Sequence, residues 1–121
     1  MNYKDLRVYV FADQARKELY RELIRIPHYL KIEEVDQTIR SSSSVTSNII
    51  EGYGRKFYQK EFFKFLSIAL GSCDETQNHI RILFLNGYLI EEKARILEKS
   101  YKNVSILILN LMNAIRKNHN F

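Results

Sequence analysis

The sequence predicts an all-α fold: an antiparallel up-down-up-down bundle of four helices. Three observations point there. One proline and four glycines in 121 residues are too few breakers for a chain of strand-to-strand turns. Long segments repeat apolar residues at steps of three and four, the spacing of one helix face. Between them lie only short interruptions, at Pro27, around Gly52 and Gly54, and at Asn86-Gly87. The length suits a single domain, 1–121, able to bury a core without staples.

The first helix is expected over about 6–26. Val8, Ala12, Ala15, Leu19, Leu23 and Ile26 share one face, and Asp13, Lys17 and Arg21 lie opposite. Pro27 ends it, because proline disfavours helical geometry in the residue before it. The second helix spans about 32–53, with the stripe Ile32, Val35, Ile39, Ser42, Thr46, Ile49 and Tyr53. The run Ser41 to Ser44 reads as helix because the stripe passes through it in register. Its hydroxyls bond back to the preceding turn, and its small side chains admit a close neighbour. Gly52 and Gly54 act as the stop.

The third helix, about 58–86, carries Phe62, Leu66, Ala69, Cys73, Thr76, Ile80 and Leu83, and Asn86-Gly87 closes it. The fourth, about 91–117, shows a heptad seam of Leu97, Tyr101, Val104, Ile108, Leu111 and Ile115. Short loops between such helices favour antiparallel neighbours. Helices three and four hold more apolar residues than one seam uses. Phe63 and Leu70 on the third and Leu107, Leu109 and Met112 on the fourth are the candidate contacts of a homo-oligomer, since a helix apolar nearly all round needs burial on a second side.

The chemistry of catalysis is not visible. His28, His79 and His119 are scattered, and no His-Glu-x-x-His or Glu-x-x-His spacing supplies a bundle metal site. Cys73 stands alone on a core stripe, where a free thiol acts as a small hydrophobe. Gly52-Tyr53-Gly54 lacks the third glycine and the preceding strand of a dinucleotide loop. The chain is therefore expected to be no enzyme and to use no cofactor, metal or small-molecule substrate. No apolar run is long enough to span a bilayer, and without a signal-peptide pattern at the N-terminus the expected location is the cytoplasm.

Lys and Arg number 19 against 14 Asp and Glu, with a pI near 9.4, a balance that favours anionic partners. The densest constellation runs from Tyr53 to Phe65. Lys56, Lys60 and Lys64 recur every four residues, so they line one face at the start of the third helix, with Arg55 beside them. Tyr53, Phe57 and Tyr58 offer aromatic faces, and cations with aromatics suit phosphates and unstacked bases. The same residues also fit a solvated helix face with aromatics turned to core or interface. Two functions remain open: a nucleic-acid-binding oligomer, or a scaffold that recruits a partner protein.

Ile39-Arg40-Ser41-Ser42-Ser43-Ser44-Val45-Thr46-Ser47-Asn48-Ile49-Ile50-Glu51-Gly52-Tyr53-Gly54-Arg55 resembles the signature of the 23S rRNA intervening-sequence proteins. Lys60-Glu61-Phe62, Gly71-Ser72-x-x-Glu75 and the opening Tyr3 to Val8 are similar to other parts of that family. The resemblance implies a bundle of long helices assembled as a homopentameric barrel, without enzymatic activity. It also implies kinship with the accessory variability determinant proteins of diversity-generating retroelements, which partner a reverse transcriptase and nucleic acid. By matching positions the signature residues are Arg40, Asn48, Glu51, Gly52 and Glu75. For Arg40, Asn48 and Glu51, on a helix rich in small residues, a buried polar network is expected. Departures are Thr46 in place of the family's proline, Leu70 where an arginine often precedes Gly-Ser, and Ile39 for the first of two arginines.

Overall fold

The computed structural model describes residues 2–119, and among them the chain is an all-α four-helix bundle. The helices are α1, Arg7–Leu23; α2, Glu33–Gly54; α3, Gln59–Leu85; and α4, Glu91–His119. The α2–α3 contact is the most extensive, followed by α3–α4, and α1 packs against both α4 and α2. No helix among the described residues is long and apolar enough to cross a membrane.

A single 3-10 turn, Tyr3–Asp5, precedes α1, and Asn2 caps it by accepting from the Lys4 amide at 2.8 Å. Helix α1 buries Val8, Ala12, Ala15, Leu19 and Leu23. It stops at Leu23, short of the expected 26: Arg25 and Ile26 make only tightened bonds, to Glu22 O and Leu23 O, as a helix end approaching proline does. A second 3-10 turn, His28–Leu30, ends at Lys31 with φ +50°, and α2 follows. At the other turn, the Gly87 amide bonds Phe84 O and the Tyr88 amide bonds Leu83 O, with Gly87 at φ +85°. That pair is the Schellman closure, in which the left-handed residue is most cheaply glycine.

The core holds the whole expected stripe of α3, with Leu66, Ala69, Cys73, Ile80 and Leu83 fully shielded. Helix α2 is continuous through the serines, and their hydroxyls do bond back: Ser41 to Thr38 O at 3.2 Å, Ser42 to Ile39 O at 2.9 Å, Thr46 to Ser43 O at 3.1 Å. Its buried face, however, is Thr38, Ser41, Ser42, Val45, Thr46, Ile49 and Gly52, rotated by about one position from the expected stripe. The bulky Val35, Ile39 and Tyr53 flank the contact instead of filling it, because the small side chains are what lets α3 approach.

The seam of α4 also corrects the expectation. Leu97, Tyr101, Val104, Ile108 and Ile115 are buried, but Met112 takes the place assigned to Leu111. A straight helix drifts by about 20° per heptad against a strict seven-residue repeat, enough to bring the neighbouring residue inward. Met112, a candidate oligomer contact, is only 8% exposed and lies within the chain's own core.

Candidate nucleic-acid interface

The turn between α2 and α3 is built by residues 55–58. The Arg55 amide bonds Gly52 O at 2.9 Å, the Lys56 amide bonds Tyr53 O at 3.1 Å, and the Tyr58 amide bonds Arg55 O at 2.8 Å. The Gln59 side-chain amide donates to Lys56 O, which holds the turn against the first residue of α3. Gly52 is not the stop expected of it. It lies buried inside α2, and a Cβ there would come within 3.0 Å of both Phe62 Cδ1 and Phe65 Cβ. Its lack of a side chain sets the distance at which the two helices meet beneath the turn.

Of the expected binding residues, Tyr53, Arg55 and Lys56 interlock in and beside this turn. The Lys56 ammonium lies 4.2 Å from the Tyr53 ring centroid and 5.7 Å from that of Phe57. Tyr53 in turn meets Phe62 edge-on, at 6.3 Å between centroids. Arg55 bonds Glu51 Oε2 at 2.5 Å and its guanidinium covers the Phe65 ring at 4.9 Å. Lys56 therefore belongs to the turn and not to α3, a correction to the four-residue stripe: the helix begins at Gln59. Lys60 and Lys64 are exposed on α3 itself. Phe57 and Tyr58 are 86% and 71% exposed at the tip.

The signature residues divide. Arg40, Glu51 and Glu75 are exposed, and Asn48 is half-buried, so the charged ones form no buried network. Glu51 serves Arg55, and Glu75 lies 3.4 Å from His79 Nε2. Polar bonds between α2 and α3 run instead through short side chains. Ser44 and Ser72 hydroxyls are 2.7 Å apart and Ser41 and Thr76 hydroxyls 2.8 Å, while within α2 the Asn48 amide donates to Ser44 O at 2.8 Å. At the far end of that contact His79 Nδ1 bonds Glu34. Hydroxyls suit this place because each needs little room and one or two partners, whereas a buried guanidinium needs several and a counter-charge.

The remaining oligomer candidates are placed as follows. Phe63, Leu70 and Leu107 are partly buried against the core, with Arg116 over the Phe63 ring at 4.7 Å, and Leu109 is 43% exposed. A further group of cations was not singled out from the sequence: Arg81 of α3 with Arg95, Lys99 and Lys102 of α4 line one groove. The steps from 95 to 99 to 102 were a visible helical row. Only the fold brings Arg81 across from the preceding helix. Among the described residues no cluster of His, Cys, Asp and Glu could hold a metal ion.

No curated protein matches the chain. A crystal structure of a protein of unknown function from the S23 ribosomal protein family of Bacteroides thetaiotaomicron is similar in fold. It is 20% identical, and the match covers 81% of this chain and 97% of that one at a TM-score of 0.64. Residues 4–110 match the family described as 23S rRNA-intervening sequence protein, and the chain belongs to that family.

Proposed function

We propose that the protein is a non-enzymatic helical assembly that binds RNA through its α2–α3 turns. The observation that carries this reading is the exposure of Phe57 and Tyr58, 86% and 71%, beside Lys56, Lys60 and Lys64. Aromatic faces left in water are ready platforms for unpaired bases, each stack being worth about 1–3 kcal/mol. Adjacent ammonium groups supply the phosphate attraction that dominates affinity. Arg55 is available too, because an exposed pair such as Arg55–Glu51 holds it by no more than about 1 kcal/mol.

The antiparallel helix order is part of the proposal. Its support is the pairing of rising α2 numbers with falling α3 numbers: Glu34 with His79, Ser41 with Thr76, Ser44 with Ser72. Homopentameric assembly rests on the family resemblance, and in such a ring the turn repeats, so that weak contacts gain avidity. A second reading, a scaffold for a partner protein, is favoured by a groove of about 740 Å³ where Tyr20, Ile24, Ile26, Ile32, Val35 and Ile39 meet.

The test is fluorescence anisotropy of a labelled ribosomal RNA fragment over a salt series, with two variants. Lys56→Glu/Lys60→Glu/Lys64→Glu and Phe57→Ala/Tyr58→Ala should each abolish or strongly weaken binding while leaving the particle mass unchanged. Binding that survives both variants would refute the assignment to this turn. No binding by the unmodified protein at low salt would turn the search to protein partners.

A further inference from the structure

The open groove between α3 and α4, about 670 Å³, is lined by Gln77, Asn78 and Arg81 from one helix and by Arg95, Lys99 and Lys102 among others from the next. Glu98 is the one acid in that lining. Arg95 is tied to Glu91 at 2.9 Å. Arg81, Lys99 and Lys102 form no ion pair with any described residue. Cations that outnumber the single acid among them repel one another, and an anion laid between them converts that cost into attraction.

The groove is joined to the α2–α3 turn. Lys60, Lys64, Ser67, Gly71, Asn78 and Arg81 are all exposed and follow one another along α3 at steps of three, four or seven. At 1.5 Å per residue the row from Lys60 to Arg81 is about 32 Å long. Asp74 is its acid, and the small Ser67 and Gly71 leave its middle low.

Accepting the turn as a base-stacking site, we propose that the α3–α4 groove holds the phosphodiester backbone of the same strand, which runs along the exposed row of α3. The chemistry favours a polynucleotide over an acidic protein segment. Partner proteins are anchored mainly by aromatic and apolar side chains in pockets, and Ile106 is the single apolar residue of this lining. The amides of Asn78 and Asn103 with the charges of Arg81, Lys99 and Lys102 suit phosphate and sugar oxygens, which position a strand without reading its sequence.

The test uses a labelled oligouridylate long enough to span the row, measured by anisotropy across a salt series. Arg81→Gln/Lys99→Gln/Lys102→Gln should weaken binding on the order of tenfold at low salt. It should also flatten the slope of log affinity against log salt by about two, since a single-strand phosphate contact contributes about 0.7. A charge-matched control, Arg21→Gln/Arg40→Gln/Lys117→Gln, should change the slope little. If the groove variant matches the unmodified protein while Phe57→Ala/Tyr58→Ala loses binding, the groove proposal is overturned and the turn reading stands. If the unmodified protein does not bind the oligouridylate, both fall. If a polyglutamate peptide binds instead and the groove variant loses it, the groove belongs to an acidic protein partner and the proposal is again overturned.

Discussion

Tyr101 is the largest side chain fully buried in the bundle, and its hydroxyl makes no hydrogen bond to any described residue. Burial first, and then the adjacent Cys73 thiol, push its pKa upward. Cys73 is itself pushed up to about 11 by burial, so both groups are neutral at pH 7. Ser42 lies near enough to counter the Tyr101 shift slightly, yet its hydroxyl donates to Ile39 O at 2.9 Å. An unpaired buried hydroxyl costs about 1–3 kcal/mol. Tyr101→Phe should therefore leave stability unchanged or raise it by about 1 kcal/mol, read from the urea midpoint at constant m. A loss above about 1 kcal/mol would mean that the phenol is bonded after all. Ser42→Ala and the double variant then decide, because bonded partners give non-additive losses. The sequence placed Tyr101 on the buried seam, but the fate of its hydroxyl depends on which atoms three other helices bring near it. The same limit explains Lys56. Its spacing from Lys60 was readable, whereas its place over Tyr53 follows from where α3 begins.

Between elements, glycines give the sharpest contrast. Gly52 is buried with Phe62 and Phe65 at 3.0 Å from a would-be Cβ, while Gly71 in mid-α3 has nothing within 4 Å. Gly71→Ala should raise stability by about 0.5–1 kcal/mol, the helix-interior cost of glycine relative to alanine. Gly52→Ala gains the same propensity but overpacks the contact, at about 1–3 kcal/mol, and Phe65 Cβ sits too near the backbone to swing aside. It should be destabilising by about 1–2 kcal/mol in the same urea measurement. Equal gains from both substitutions would show that α2 and α3 do not meet as closely as the glycine implies. The α1 and α3 stripes were legible because their buried lines are mostly apolar and are anchored by large residues such as Leu19, Leu23, Phe62, Leu66 and Ile80. On α2 most of the buried line is small, with Thr38, Ser41, Ser42, Thr46 and Gly52, so the bulkiest residues no longer mark it and the inferred face was rotated. The signature residues misled for a related reason. Membership of a motif says nothing about depth, and Arg40 and Glu51 face solvent where small hydroxyls carry the polar contacts.

For the whole molecule, the question is whether the apolar surface left outside the bundle is covered by other copies. Outside the α3–α4 groove, Leu109 of α4 is 43% exposed and Ile68 of α3 is 44% exposed. Isolated exposed apolar residues are ordinary, so exposure alone does not decide the matter. A charge at such a site does. In a free monomer Leu109→Asp replaces a half-exposed leucine on a solvated helix face and should change stability by about 0.5 kcal/mol or less. In an assembly it buries an unpaired carboxylate, which costs several kcal/mol per contact and is repeated at every copy of a ring. Light-scattering mass with circular dichroism separates the cases: the unmodified protein should run at a multiple of 14.4 kDa and the variant at that mass with helix content retained. If the unmodified protein is already a monomer, the surplus apolar surface has another use. If the oligomer survives Leu109→Asp, the contact lies on another face. The apolar groove of Tyr20, Ile24 and Ile32 is then the place to put the charge, and Ile24→Asp should dissociate what Leu109→Asp does not.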